Sequence, residues 1–323
     1  MHRLLRMNCT RIQHLPKDLQ AGKSDISVVF LSSDCVSFRF LFLAYICLLS
    51  AEFLNPAYQA LPGFLASTKY KSSPTDPADT AVQMAFESKG KDLIGILMER
   101  PDSARGFGTL MSTWGEGHSL IQDLYPVNER LPKGFDDSRD SVMFVDVGGG
   151  YGQKAIALKR ACPQLPGRFI VQDLPGTVAN APKVEGIEMM GHDFFTEQPI
   201  KGASPLSIDA LLQLKTYTGA RAYYIRQCLH NWPTEKCLTI LKHIHDAMKP
   251  GYSKLFVHEL IVAERGASIW STTQDFNMMT LCATMERTEG QWREMLGQAN
   301  LKVVGVYPSK DGESEGIIEA EKA

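Results

Sequence analysis

Disulfide and zinc frameworks are missing from this sequence. Its seven cysteines (Cys9, Cys35, Cys47, Cys162, Cys228, Cys237 and Cys282) are odd in number, scattered along the chain, and never spaced as C-x-x-C. That leaves neither a disulfide scaffold nor a structural zinc site and points to a reducing, cytoplasmic setting. A charge surplus is missing too. With 34 Lys+Arg against 36 Asp+Glu the net charge is −2, so no nucleic acid or anionic membrane is expected as a partner and a small molecule is. Long apolar runs are also scarce. The strongest is Val36–Ser50, where Arg39 and Glu52 leave only the twelve residues Phe40–Ala51 uncharged, short of the ~18–20 that span a bilayer. A buried helix or strand pair is expected there, with membrane association through 36–51 as the alternative. No internal repeat is visible, which removes solenoids and propellers. What remains, 323 residues at 44% hydrophobic, fits one large domain, or one of roughly 200 residues with an appendage.

Turn chemistry divides the chain. After an atypical segment, 1–60, the Pro/Ser/Asp break Ser72–Thr80 introduces a helical region, 61–140. Helices are expected over Ala81–Glu87 and Asp92–Glu99, stopped by Pro101, and around Phe107–Leu124. From Ser141 the texture alternates. Apolar, β-branched runs at Val142–Val147, Arg168–Gln172, Ile187–Met190, Ala222–Leu229 and Lys254–Ile261 read as buried strands. Cys237, Leu241, Ile244 and Met248 fall at i, i+4, i+7 and i+11, each about one turn from the next, and mark a helix over Thr234–Met248. Strands alternating with helices predict an α/β fold with a doubly wound parallel sheet, and the tail, Leu301–Tyr307 with Gly316–Ala320, reads as an antiparallel strand pair at one edge.

The sharpest local signal is Asp146-Val147-Gly148-Gly149-Gly150-Tyr151-Gly152 at the end of the first strand. Glycines permit a tight turn and close approach of a ligand, and the following helix start offers free N–H groups. The dinucleotide pattern would place its third glycine at position 153, where Gln153 stands, and no Walker lysine follows. An adenosine ligand without a pyrophosphate is favoured. Asp173, ending the second strand, is placed to take ribose hydroxyls, although an aspartate before a Leu-Pro step is equally a turn residue.

Six ordered segments carry a resemblance: FVDVGGGYG (144–152), GRFIVQDLP (167–175), GHDFFTEQP (191–199), RAYYIRQCLHNWP (221–233), DFNMM (275–279) and ERTEGQW (286–292). Together they resemble the S-adenosylmethionine-dependent O-methyltransferases of the plant caffeate/flavonoid type and their fungal secondary-metabolite relatives. The resemblance runs from about Leu61 to the C-terminus. It implies a class I methyltransferase domain over 141–323, with S-adenosyl-L-methionine as cofactor, a small phenolic acceptor and no metal. Under it, Gly148, Gly149 and Gly150 line the methionine portion of the cofactor, Asp173 holds the ribose, Asp193 and Phe194 contact adenine, and Arg226 is a basic cofactor contact. His230 matches the catalytic base, and Glu259 and Glu286 match the two acids that orient it.

A base suits the chemistry, since a phenol of pKa ~10 is a poor nucleophile at neutral pH and an imidazole of pKa ~6.5 can take its proton as attack proceeds. Met278 and Met279 fit an adaptable substrate wall, and Asn231 stands where the family usually has an acid. His258 competes with Glu259 for the inward direction, because strand neighbours face opposite sides. His243 and His245, two apart on a helix, do not share a face and are read as non-ligands.

Two further departures bear on function. Ser204–Gly219 interrupts a normally direct join, with Gly-Ala at 202–203 and again at 219–220, and reads as an insertion, either a surface loop or a retained intron. The stretch before Leu61 is too short for the family's N-terminal winged helix, which leaves its usual homodimer and its closure over substrate in doubt. The alternatives are a cofactor-binding pseudoenzyme or truncated product, and an NAD-dependent oxidoreductase.

Overall fold

The structure, a computed structural model, describes residues 49–70, 75–113, 119–137, 140–201, 219–309 and 315–323. All lie within one compact unit, Ala44–Ala323. Of the segment 1–60 only Leu49 onward is described, and of 204–219 only Gly219, so the expected insertion and most of the run 36–51 fall outside the described residues.

The N-terminal part is helical. A π-helical turn, Ser50–Leu54, runs into α1 (Asn55–Ser67), followed by α2 (Ala81–Phe86), α3 (Leu93–Met98), α4 (Pro101–Thr113), α5 (Ile121–Leu124) and α6 (Val127–Arg130). Side chains set the starts. The Thr80 hydroxyl accepts from Val82 N at 3.2 Å while Gln83 Oε1 accepts from Thr80 N at 2.6 Å, and Asp92 accepts from Gly95 N at 2.8 Å, which satisfies first-turn donors that have no helical partner. The helix expected over Asp92–Glu99 ends at Met98, before Pro101 as expected, and Pro101 itself begins α4, because a missing N–H costs nothing in the first turn. The single helix expected around 107–124 is two, α4 and α5, with 119–120 outside both. Phe53, Ala57, Val82, Ile96 and Leu97 bury their side chains together with Leu281 and Cys282, tying this region to the second part of the chain.

The second part runs β1 (Val142–Val147), α7 (Gln153–Ala161), β2 (Arg168–Asp173), α8 (Pro175–Ala179), β3 (Glu188–Gly191), β4 (Ala220–Arg226), α9 (Thr234–Ala247), β5 (Lys254–Val262), α10 (Ile269–Cys282), β6 (Arg287–Thr288), α11 (Glu289–Gln298), β7 (Leu301–Tyr307) and β8 (Glu315–Lys322). The sheet order is β3-β2-β1-β4-β5-β8-β7, with β6 paired to the end of β5. Strands β1 to β5 are parallel and β8 is antiparallel to both neighbours, as the doubly wound reading with an antiparallel tail required. Alternation along each strand feeds two cores. Val145, Tyr223 and Val257 face α9 and Trp292, whereas Phe144, Tyr224 and Phe256 face α7 and Tyr125.

One strand boundary differs from expectation. The strand expected over 222–229 is 220–226, and the chain leaves the sheet at Gln227, whose φ is 49°. The cause is Glu259 of the neighbouring β5: its Oε1 accepts from Cys228 N at 3.1 Å and Leu229 N at 2.9 Å, pulling the backbone into a short 3-10 turn, Leu229–Asn231. Among the described residues no helix is long and apolar enough to cross a membrane.

Candidate active site

The parallel register brings Val147, Asp173, Gly191 and Arg226 to one edge of the sheet, with Glu259 a residue beyond. Strand order reverses beside β1, and that crevice at the carboxyl ends is where ligands bind in doubly wound folds. A cavity of about 420 Å³ opens there, lined by Gly148, Gly149 and Gly150, by Asp146 and Arg226, by Cys228, His230 and Asn231, and by residues of α1, α4 and α10.

The glycine turn is tight. Gly148 has φ 70°, and a Cβ there would lie 2.7 Å from Cys228 Sγ; at Gly149 it would lie 2.6 Å from Asp146 Cγ and 2.8 Å from Val171 Cγ1. Asp173 supports this turn, its Oδ2 accepting from Gly150 N at 2.9 Å while Oδ1 accepts from Leu174 N. Asp146 went unselected in the sequence, yet its buried Oδ2 has no hydrogen-bond partner among the described residues. Burial pushes this carboxyl up to about 7, opposed by Arg226 and reinforced by Asp173.

Three expected cofactor contacts sit off the cavity wall: Asp173, which braces the glycine turn from behind, Asp193 and Phe194. Asp193 is exposed and its Oδ1 accepts from Phe195 N at 3.0 Å, an Asx turn. Phe194 packs edge-on against Phe195 and Trp232, and its ring edge lies 3.4 Å from where a Gly148 Cβ would stand. Arg226 does line the cavity, but Glu315 grips its guanidinium at Nε (2.6 Å) and Nη2 (2.7 Å). Sequence reading missed Glu315 because it arrives through the antiparallel register of β8, opposite Leu260.

The three expected catalytic groups come together. His230 is buried in the 3-10 turn, its Nδ1 2.9 Å from Glu286 Oε1 and 3.9 Å from Glu259 Oε2. Its Nε2 has no protein partner among the described residues. Burial alone would lower the imidazole, but Glu259, Glu286 and Glu315 outweigh it and raise its pKa to about 9. Glu259, fully buried, is pushed by desolvation to about 7 against the pull of His230. Glu286 is fixed from behind, its backbone N donating to Asp275 Oδ1 at 2.9 Å. Ligand atoms of His230, Glu259 and Glu286 all lie within 4.8 Å of one another, which is also a spacing a metal ion could use.

His258 faces away, its Nδ1 2.7 Å from the Tyr224 hydroxyl and its Nε2 3.5 Å from Glu315; the competition with Glu259 is settled by strand alternation. His245 pairs with Asp246. Met278 lines the cavity and Met279, one step round α10, does not. Asn231 lines it with its Nδ2 bonded to Gln227 O at 3.2 Å. The sequence also missed Gln274, Asn277 and Leu281, which share the cavity-facing side of α10 with Met278; their spacing of three, four and seven residues was the available signal.

Sheet order and site define a class I methyltransferase-type fold with its ligand crevice at the switch beside β1. A family model of the O-methyltransferase domain matches residues 129–302, and the chain belongs to that family. It is 38% identical over 266 residues to Methyltransferase cfoC of Aspergillus candidus, covering 82% of this chain and 61% of that protein. To Demethylsterigmatocystin 6-O-methyltransferase of Aspergillus flavus it is 36% identical over 261 residues, covering 80% and 61%. Thus the chain spans about three-fifths of the length of these relatives. Among solved structures, LepI in complex with SAM superposes with a TM-score of 0.76 at 29% identity, covering 87% of this chain and 67% of that one. Membership in this family speaks against the NAD-dependent oxidoreductase alternative.

Proposed function

We propose that this chain is an O-methyltransferase of fungal secondary metabolism, working in the manner of the caffeate/flavonoid type. It would move a methyl group from S-adenosyl-L-methionine to a phenolic hydroxyl, with His230 as the base. The observation that carries this reading is His230, on the wall of the same cavity as the glycine turn, with Glu286 2.9 Å behind its Nδ1.

The turn suits the cofactor. Gly148, Gly149 and Gly150 bring bare backbone to the cavity wall, in a turn too tightly packed to admit a Cβ at Gly148 or Gly149, and the unpartnered Asp146 Oδ2 offers an acceptor for an ammonium group. Asp173 and Arg226 complete the polar set, with Asp193 and Phe194 beyond them. When bound, S-adenosylmethionine supplies a methyl group on a positively charged sulfur.

The rest is done by side chains of the chain. Glu286 accepts from His230 Nδ1–H and fixes the tautomer that leaves Nε2 as the proton acceptor, the logic of a triad carboxylate. Glu259 holds the turn that carries His230. With the imidazole at about 9 and a phenol at ~10, proton transfer is uphill by only about 1 unit, roughly 1.4 kcal/mol, instead of the ~3 units an ordinary histidine would face. The cost is occupancy: near pH 7 Nε2 already carries a proton in about 99% of molecules, so activity rises on the alkaline side. No step calls for a metal. The helical region 61–140 contributes Leu93, Phe107, Leu110 and Met111 to the cavity and would cover the acceptor.

The test is incubation with labelled S-adenosylmethionine and a panel of phenols, with products read by mass spectrometry. Methylated product from wild type and none from His230→Ala of intact circular dichroism supports the assignment. Tight S-adenosylhomocysteine binding without turnover over the panel favours the pseudoenzyme, and full activity in His230→Ala refutes the base.

A further inference from the structure

Helix α10 turns Gln274, Asn277, Met278 and Leu281 toward the cavity. Through the two amides runs a directed chain of hydrogen bonds. The Tyr58 hydroxyl, from α1, donates to Asn277 Oδ1 at 2.7 Å, and Asn277 Nδ2 donates to Gln274 Oε1 at 3.2 Å. Each amide oxygen is thereby used as an acceptor. What is left at the end of the chain is a pair of hydrogens, since Gln274 Nε2 donates to no protein group among the described residues. Gln274 is only 6% exposed, and the cavity around it is walled by Leu54, Leu93, Phe107, Leu110 and Met278. Burying a donor without a partner costs roughly 1–3 kcal/mol, so a ligand that fills this apolar space is selected for an oxygen that meets it.

Resting on the proposed reaction, we infer that Gln274 is a specificity-determining residue. It would accept into the cavity an aromatic acceptor that carries, besides the hydroxyl presented to His230, a second oxygen on its skeleton: a ketone or lactone carbonyl. Asn277 and Tyr58 are positioning residues that act through Gln274, the first by holding its oxygen and the second by holding Asn277. Because Asn277, held by Tyr58 of α1, and Asp275, which anchors Glu286, lie on the same α10, one helix joins acceptor choice to the placement of the base. A site built to hydrogen-bond a substrate group rejects analogues that lack it, because the site's own polar group is then left unpaired.

Matched tricyclic phenols test this directly: hydroxyfluorenones against the hydroxyfluorenes of the same substitution, which differ only by the carbonyl. Binding is measured by calorimetry with S-adenosylhomocysteine present, and product formation by mass spectrometry in parallel. Wild type is expected to bind at least one hydroxyfluorenone roughly 3- to 10-fold more tightly than its partner, the worth of one neutral hydrogen bond. Gln274→Leu, or Gln274→Met if the first does not fold, should abolish the preference, with hydroxyfluorene bound as tightly as by wild type or more tightly, since no donor is then buried unpaired. Tyr58→Phe should shrink the ratio by weakening hydroxyfluorenone binding more than hydroxyfluorene binding, whereas general loosening of the helix would weaken both alike. Equal binding within every pair, binding of neither compound, or a preference that survives in the Gln274 variants overturns the inference. Preference without methylation of either compound refutes the proposed reaction and leaves the recognition by Gln274 standing.

Discussion

Replacing Glu286 by Gln removes a carboxylate 2.9 Å from His230 Nδ1 while keeping an oxygen in the same place to accept its hydrogen bond. The tautomer is therefore preserved and the charge alone is lost. Raising the imidazole from 6.5 to about 9 corresponds to roughly 3 kcal/mol of preference for the protonated form, the net of burial, which opposes it, and of three carboxylates. Glu286 and Glu259 are the nearest of these, at 2.9 and 3.9 Å. Glu259 is the largest single raising influence, while Glu286 acts twice, by charge and by hydrogen bond; losing the charge of Glu286 should bring the imidazole down to roughly 7. At pH 7 the unprotonated fraction then rises from about 1% to about half, while the weaker base slows the step itself by about tenfold. Glu286→Gln is thus expected to be several-fold faster than wild type near pH 7 and about tenfold slower near pH 10.

The assay is kcat/KM for the acceptor between pH 6 and 10.5, with an acceptor whose own hydroxyl ionises above that range. The imidazole itself is followed by NMR titration of the ring. A wild-type midpoint near 6.5, or superimposable profiles for wild type and variant, would refute the reasoning, since either would mean that the buried carboxylates do not set the proton affinity of His230.

Stability should follow the same group. Because the folded-state value of His230 lies above its unfolded value, the contribution is fully present below about 6.5 and is lost as pH rises through about 9; urea unfolding should show a decline of roughly 3 kcal/mol across that window, flattened in His230→Gln. Gly149→Ala places a methyl group 2.6 Å from Asp146 Cγ and is expected to cost roughly 1–3 kcal/mol of stability and at least tenfold in S-adenosylhomocysteine affinity, read by thermal unfolding and calorimetry. Chelation by EDTA should leave the methylation rate within twofold of the untreated protein, because a proton on His230 occupies the position a cation would need; a loss restored by Zn²⁺ would show that the His230, Glu259 and Glu286 cluster holds a metal.

What the sequence revealed and what it hid separate along a physical line. Glycines 148, 149, 150 and 152, the strand runs and His230 are local signals: a turn that needs positive φ at three of its glycines, a period of two, a histidine beside a strand end. Contacts set by long-range register leave no such trace. Glu315 reaches Arg226 because β8 runs antiparallel to β5 and sets Leu260 opposite Glu315, a pairing that no spacing in the chain encodes. Glu259 was legible as an acid at a strand end, but its grip on the N–H groups of Cys228 and Leu229, which ends β4 three residues early, was not. Gln274 lies between these cases. Its place on the inner side of α10 follows from helical spacing with Met278 and Leu281, yet its unspent donor emerges only when Tyr58, 219 residues from Asn277, closes the chain of hydrogen bonds. The histidine proposed as the base could therefore be read from the sequence, whereas the carboxylates around it and the amide proposed to select its acceptor had to be found in the fold.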